Sequence, residues 1–416
     1  MDIAILGGGV AGLATALALA RRGHEPRVYE RRPAPATMGA GVTLWPNAGF
    51  VLADLELLDE VLALGGTPAA MHRYDAQGWS LGGLDIEPLD RLMGYPTCAI
   101  LRTDLQAVLL RRAREAGVPV AFGREATAIA NDPDGRAVVH FADGGHARPD
   151  LIIGADGRMS SVARAHVAGG NAPVYQGFVN WIGVAESSRD LVDGAAIHDY
   201  WGHGERVGIV ALGRRKVYWA GAQAQTLEQA RASAAAAQDG EWRKVRRLFE
   251  SWPDPIGAVI DATPPRALRL IAVHDLEPLA RWHRGNVLLV GDAAHAPLPT
   301  SGQGACQALE DAWHLARCLE DPAMGPGAEL EQALERFGGL RREKTEAITR
   351  QARYFARELF ITDPQACRER DARVRASDPL QGIQALAQGW GRGLPLSTLE
   401  QADAGMAVAA GMGAGR

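Results

Sequence analysis

Six residues near the N-terminus, Gly7-Gly8-Gly9-Val10-Ala11-Gly12, constrain this chain more than any other stretch. A short apolar run over residues 2–6 leads into them, and Val, Leu and Ala then recur at helical spacing from 10 to 22. Arg21, Arg22 and Gly23 close that segment, and Arg27-Val28-Tyr29-Glu30 reads as the next strand. Strand, glycine turn, helix and strand in that order make a βαβ unit. Within G-x-G-x-x-G each glycine has its own steric duty. Gly7 makes the tight turn, Gly9 leaves room for a phosphate at the backbone, and Gly12 lets the helix pack closely on the sheet. Free N–H groups and the helix dipole then favour a pyrophosphate, while Glu30 can accept from ribose hydroxyls. Glycine is 49 of 416 residues, so the pattern is weak evidence by itself. The strand, helix and acid around it give it force. An adenine dinucleotide is the expected ligand, with FAD and NAD both open on these residues.

A chain of 416 residues is long enough for two or three domains. With 47% hydrophobic and 22% charged residues, wholesale disorder is excluded, and a net charge of −5 argues against bulk nucleic-acid binding. Cys98, Cys306, Cys318 and Cys367 lie far apart with no CxxC pair, which suits reduced cytosolic thiols better than a zinc or redox site. No metal is expected, because no histidines stand at H-x-x-x-H spacing. The apolar start is no signal peptide: Asp2 replaces a basic leader and glycines interrupt the run. No other stretch reaches the length of a membrane span, so a cytoplasmic protein, monomer or homodimer, is expected.

Further along, a Gly/Pro-rich stretch precedes a helix around 47–64, and 71–99 read as short antiparallel strands. Leu105, Val108, Leu109 and Ala113 mark an amphipathic helix over 103–116. Strands are expected at 118–122, 137–142, 151–154 and 287–290. A second sheet spans 174 to about 270, broken by a helix at 226–237. Helices follow at 304–320 and 327–360, and the last ten residues should fray. The expected fold is α/β: a Rossmann-like domain from 1–70, 100–173 and 271–322, with an inserted antiparallel-sheet domain from 71–99 and 174–270. Residues 323–416 form a C-terminal helical segment and tail.

Gly154-Ala155-Asp156-Gly157 and Gly291-Asp292-Ala293-Ala294-His295 each follow a strand and expose an acid beside small residues. Together with the first turn, and with Leu101-Arg102-Thr103-Asp104-Leu105, they resemble the class A flavoprotein monooxygenases, aromatic hydroxylases with a single FAD site. Gly39 to Leu44, Pro46-Asn47-Ala48 and Gly304 to Asp311 resemble the branch of salicylate, urate and 6-hydroxynicotinate hydroxylases and zeaxanthin epoxidase. The resemblance implies bound FAD held by Gly7, Gly9, Gly12, Glu30, Arg31, Gly41, Val42, Arg102, Asp156, Asp292, Gly302, Gly304 and Ala305. It implies that Asp292 binds the ribityl chain and that Pro299 and Gly302 to Gly304 border the flavin ring. The helix starting near Gly304 would then face the end of the ring that becomes anionic on reduction, where a helix N-terminus stabilises negative charge. Two departures stand out. The family pattern D-G-x-x-S-x-x-R places Ala163 at the arginine, with Arg164 next to it. Urate hydroxylases carry Asp after the loop proline, where Pro299 here precedes Thr300, which points away from urate.

The implied activity is an NAD(P)H-consuming monooxygenation of an aromatic or heteroaromatic small molecule with O2, through a C4a-hydroperoxyflavin. NAD(P)H would be a transient cosubstrate, since no second G-x-G-x-x-G is present. Arg206 and Tyr218 match the branch pattern of an Arg, an apolar strand, a turn and a Tyr-Trp pair, and with Pro299 are the expected catalytic-site residues. A guanidinium there could orient an anionic or carbonyl-bearing substrate. Yet Tyr218 and Trp219 could equally alternate across a packed sheet. His72, His198 and His203 are possible bases, and His295 is expected to be structural. Epoxidation, oxidative decarboxylation and a non-catalytic FAD sensor remain alternatives. A halogenase is not, lacking W-x-W-x-I-P and any lysine before Lys216.

Overall fold

The computed structural model describes residues 1–37, 39–235, 238–321, 324–325 and 327–396. Five parallel strands lie side by side in the order Val287–Leu289, Leu151–Gly154, Asp2–Leu6, Glu25–Glu30 and Val120–Phe122, with His283–Arg284 antiparallel at one edge. Ile3, Ile5, Ile152, Ile153 and Leu288 are fully buried, the pattern of strands covered on both faces. Helix Val10–Ala20 is apolar almost all round because helices Arg102–Glu115 and Gly304–Cys318 both pack against it.

A second sheet runs Arg269–Asp275, Val174–Glu186, Lys216–Ala224, Glu205–Gly213, Ala196–Trp201, Ala70–Asp75 and Ser80–Asp85. Its strands alternate strictly between two environments. Trp181, Tyr200, Val207, Ile209 and Trp219 enter a core with Phe249, Val259 and Ile260, from helices on one side. Met71, Ile197, Val210 and Tyr218, on the other face, pack against the core of the parallel sheet. That second face therefore looks onto strands Gly41–Leu44 and Cys98–Leu101.

Three expectations need correction. The helix expected over 47–64 is two, Pro46–Asp54 and Leu58–Leu64, broken where Glu56 takes φ +57. Residues 71–99 supply two strands of the second sheet, then helix Glu87–Met93 and strand Cys98–Leu101, which pairs with Gly41–Leu44. The helix expected at 226–237 is the first of three, Leu227–Ala235, Gln238–Leu248 and Ile256–Asp261. A three-stranded antiparallel sheet covers Ala126–Asn131, Ala137–Phe141 and His146–Ala147. The chain continues through helices Ala328–Leu359, Pro364–Arg375 and Pro379–Gly391. Asp363 and Asp378 cap the last two, each followed by a proline whose missing N–H costs nothing at a helix start. The ten C-terminal residues expected to fray lie outside the described residues. All four cysteines are buried and unpaired, and burial pushes the Cys98 and Cys306 thiols up to about 11 and about 12. Among the described residues no helix is long and apolar enough to cross a membrane.

Candidate active site

The first turn divides its glycines by function. Gly7 sits at φ +113, its N–H donating to the Tyr29 carbonyl at 2.8 Å, and a Cβ there would run into the Ala155 carbonyl. A Cβ at Gly12 would overlap the Gly7 carbonyl oxygen. Gly9 differs: among the described residues nothing lies within 4 Å of the position its Cβ would take, and it caps the helix with no side chain of its own. The turn thus presents open space in front of unsatisfied helix N–H groups, the shape and polarity a pyrophosphate needs. Glu30 accepts from the Gly8 N–H at 2.7 Å and the Arg32 N–H at 2.9 Å, so its carboxylate is held beside the turn. Gln106 donates to the Gly8 carbonyl at 2.5 Å. Arg102 opens the helix carrying Gln106 and is exposed; Arg31, also exposed, donates to Ser160 at 2.9 Å.

Asp156 does something the sequence did not show. Its carboxylate accepts from the Ser161 hydroxyl at 2.5 Å and from the Val162 and Ala163 N–H groups at 2.7 and 3.1 Å. It fixes the start of helix Val162–Ala168, and burial raises its pKa above the ordinary aspartate value. That turn carries Arg158, which donates to Asp292 at 2.8 Å. The expected arginine is present after all, one residue late. Arg164 is buried and donates to the Ala293 and Ala294 backbone carbonyls, both at 3.1 Å, and to the Glu277 backbone carbonyl at 2.8 Å. Ala163 instead packs over Gly154, where any side chain would collide with it. Arg164 therefore braces the segment behind Asp292.

Pro299 is exposed and begins a single turn, Pro299–Ser301, that ends at Gly302 with φ +62. A Cβ on Gly302 would lie 3.0 Å from Trp45 Nε1, whereas nothing approaches the corresponding point at Gly304. Trp45 Nε1 and Gln303 Nε2 are buried here without hydrogen-bond partners among the described residues. Strand Gly41–Leu44 closes the other side: any side chain at Gly41 would strike the Tyr218 ring, and Thr43 Oγ1 lies 2.7 Å from the Tyr218 hydroxyl. Burial raises the Tyr218 pKa far above the usual phenol range, so the side chain is a neutral hydroxyl at physiological pH.

Beneath the open N-terminus of helix Gly304–Cys318 lies a buried ionic network that sequence reasoning missed. Glu310 accepts from Asn47, Gln307, Arg341 and Lys344 at 2.6–2.8 Å. Asp311 accepts from Arg341, from His295 and from the Gly291 N–H at 2.7–2.8 Å. Burial alone would raise Asp311; His295 and Arg341 together hold its carboxyl down at about 2. The pair Glu310-Asp311 in the sequence hinted at this, but Arg341 and Lys344 lie on another helix with no local signal. Through Gly291, the network fixes the turn that presents Asp292.

The match to known proteins decides the family. A family model described as "FAD binding domain" matches residues 1–352. The chain belongs to the class A FAD-dependent monooxygenases. It is 33% identical over 353 residues to the aurachin C monooxygenase/isomerase of Stigmatella aurantiaca, covering 83% of this chain and 86% of that one. It is 33% identical over 385 residues to the 3-amino-4-hydroxybenzoate 2-monooxygenase of Streptomyces cremeus, covering 91% and 92%. The structure of Klebsiella pneumoniae HpxO complexed with FAD and uric acid superposes with a TM-score of 0.84 at 28% identity, covering 94% of this chain and 97% of that one. This monooxygenase uses FAD, and its residues fit that group: the open points at Gly9 and Gly304 lie at two helix N-termini, one suited to the pyrophosphate and one to the flavin ring.

The sheet expected to hold the monooxygenase's substrate departs from expectation in two ways. Arg206 and Tyr218 do share the sheet face toward the parallel-sheet core, but Arg206 is not free. Its Nε and Nη2 donate to the Asp199 carboxylate at 2.6 and 3.1 Å. His72 and His198 fall on the opposite face with Tyr74 and Tyr200, away from Arg206 and Tyr218. His203 stands in the turn before Glu205–Gly213, and His295 is held by Asp311. Away from the cleft, His283, Glu331 and Glu335 bring ligand atoms within 4.8 Å of one another, a grouping that sequence spacing did not reveal.

Proposed function

We propose that this enzyme hydroxylates an aromatic or heteroaromatic small molecule in the cytoplasm, at a pocket between the Pro299–Gly304 turn and the Tyr218 face of the second sheet. The single observation that carries this is the meeting of Gly41, Thr43 and Tyr218 at the first turn of helix Gly304–Cys318, where Cys306 Sγ lies 3.7 Å from the Thr43 carbonyl oxygen and 3.9 Å from that of Gly302. On this reading residues 1–70, 100–173 and 271–322 hold FAD, and 71–99 with 174–270 hold the substrate. Gly7, Gly9, Gly12, Glu30, Arg31 and Arg102 take the adenosine and pyrophosphate; Asp292 takes the ribityl hydroxyls; Gly41, Val42, Gly302, Gly304 and Ala305 border the ring. Asp156 acts through the turn it caps. When bound, FAD supplies hydride acceptance from NAD(P)H and activation of O2. Tyr218, kept protonated by burial, can donate to a phenolate or carbonyl oxygen, and the sheet excludes water.

Names of the relatives favour a ring bearing hydroxyl or carbonyl groups. A panel of phenols, hydroxybenzoates, quinolones and purines tests this: at least one should accelerate NAD(P)H oxidation and gain 16 mass units on the ring system. Acceleration without any product of higher mass would mean the compounds are effectors only.

Asp292→Ala is expected to lower FAD affinity at least about tenfold, since hydrogen bonds to a charged group contribute about 1.5–3 kcal/mol each. Equilibrium dialysis against FAD checks it. The loss should exceed that of Arg158→Ala, which leaves the carboxylate in place.

A further inference from the structure

We infer that the cleft face of the second sheet takes a substrate carrying a negative charge, with Arg73 as its charge partner and Arg206 as a hydrogen-bond donor already neutralised by Asp199. This rests on the proposed placement of the pocket and names the class of molecule it accepts.

Strand register sets the cluster. Arg73 lies directly opposite Asp199, Asp199 opposite Gly208, and Trp201 opposite Arg206, so all share one face. It is the face of Met71, Ile197, Val210 and Tyr218, which pack against the FAD-binding core. Two guanidinium groups and one carboxylate leave one positive charge over. The Asp199 carboxylate is 2% exposed, and both its oxygens are taken by Arg206 in a fork that holds the planar group still. Among the described residues Arg206 Nη1 has no hydrogen-bond partner. Arg73 is differently placed. Among the described residues no carboxylate lies within 4.0 Å of it. Its contacts are a weak Nη2–H bond to Met71 Sδ at 3.5 Å and the Trp201 ring, 6.0 Å away. Burial lowers its pKa, Asp199 acts in the opposite direction, and Arg206 adds repulsion. Guanidinium stays charged under such conditions, so a half-buried cation is left with no carboxylate in direct contact among the described residues.

Room for that anion exists beside it. Gly208 lies between Arg206 and Val210 on the same face, and a Cβ there would meet nothing closer than Arg206 Nη2 at 3.9 Å. Ala220 and Ala222 stand opposite Gly208 and Arg206. Gly208, Ala220 and Ala222 leave this stretch of the face without a long side chain, between the arginines at one end and Tyr218 at the other. On this inference the substrate's ring lies over that stretch with its carboxylate or phenolate oxygen between Arg73 and Arg206 Nη1.

The test uses the FAD-loaded enzyme and pairs of ring-matched probes: 2-hydroxybenzoate, 4-hydroxybenzoate and 6-hydroxynicotinate, each against its carboxamide. Binding is read from the perturbation of the flavin spectrum, without turnover. At least one acid should bind about tenfold more tightly than its amide. Arg73→Gln should weaken that acid about tenfold or more while leaving the amide and the FAD content unchanged, and Arg73→Lys should keep most of the preference. With a turned-over acid, Arg73→Gln should raise KM far more than it lowers kcat. Native enzyme that binds no acid, or binds amides equally well, overturns the inference. So does Arg73→Gln with its acid preference intact. A protein that takes up no FAD would instead overturn the flavoprotein assignment, so the two failures are distinct.

Discussion

Enzyme carrying Gly12→Ala is expected to purify colourless, with FAD affinity reduced about a hundredfold. The new methyl would overlap the Gly7 carbonyl oxygen, a backbone atom of a turn already pinned by Tyr29 and Ala155. It cannot swing aside as a side chain would, so the first helix must move off its strand. Overpacking of this kind costs about 1–3 kcal/mol, and the upper figure corresponds to about a hundredfold in binding. Gly9→Ala is the informative companion. Its Cβ enters open space at an ordinary φ of −82, so the apoprotein should melt at the native temperature. FAD should nevertheless bind poorly, because that space is where the proposed site holds the phosphates. Flavin content and thermal melts of both variants separate a glycine needed by the fold from one needed by the ligand.

Arg341→Ala should be among the most destabilising single changes in the chain, by about 3–5 kcal/mol, because it leaves two buried carboxylates short of their partner. Arg341 is fully buried and bonds Glu310, Asp311 and Gln307 at once. Denaturant unfolding of the two proteins measures the difference directly. The same network dictates a pH dependence. Asp311 titrates at about 2 in the folded enzyme against an ordinary value of 3.8, and Glu310 is also lowered. A carboxyl depressed by folding stabilises the native state above its unfolded pKa and loses that contribution as pH falls through the folded one. Stability should therefore decline from about pH 4 toward pH 2. A native protein whose stability is flat across that window would mean these acids are not ionised in the fold.

What could be read from the sequence was what lies close along the chain. Gly7, Gly9, Gly12 and Glu30 belong to one βαβ unit, so their spacing alone implied their geometry. Gly291-Asp292 and the helix from Gly304 are likewise short segments whose residues act where they stand. Register and insertions hid the remainder. Arg206 read as a free cation because its partner, Asp199, sits on a neighbouring strand and meets it only through pairing. Arg73 joins them by a parallel pairing across more than a hundred residues. The arginine of the Asp156 motif looked lost because one extra residue shifts it to 164, while the helix geometry still turns it onto the Ala293 and Ala294 carbonyls. Glu56 in a left-handed conformation broke a helix whose apolar pattern ran straight through.

The most direct test of the central claim is turnover under 18O2. FAD-loaded enzyme supplied with NAD(P)H and an accelerating aromatic acid should give a product carrying one 18O atom on the ring system, with one product formed for each NAD(P)H consumed when coupling is complete. Product oxygen drawn from 18O-labelled water instead, or NAD(P)H oxidation yielding only hydrogen peroxide with every ring tested, would contradict a monooxygenase.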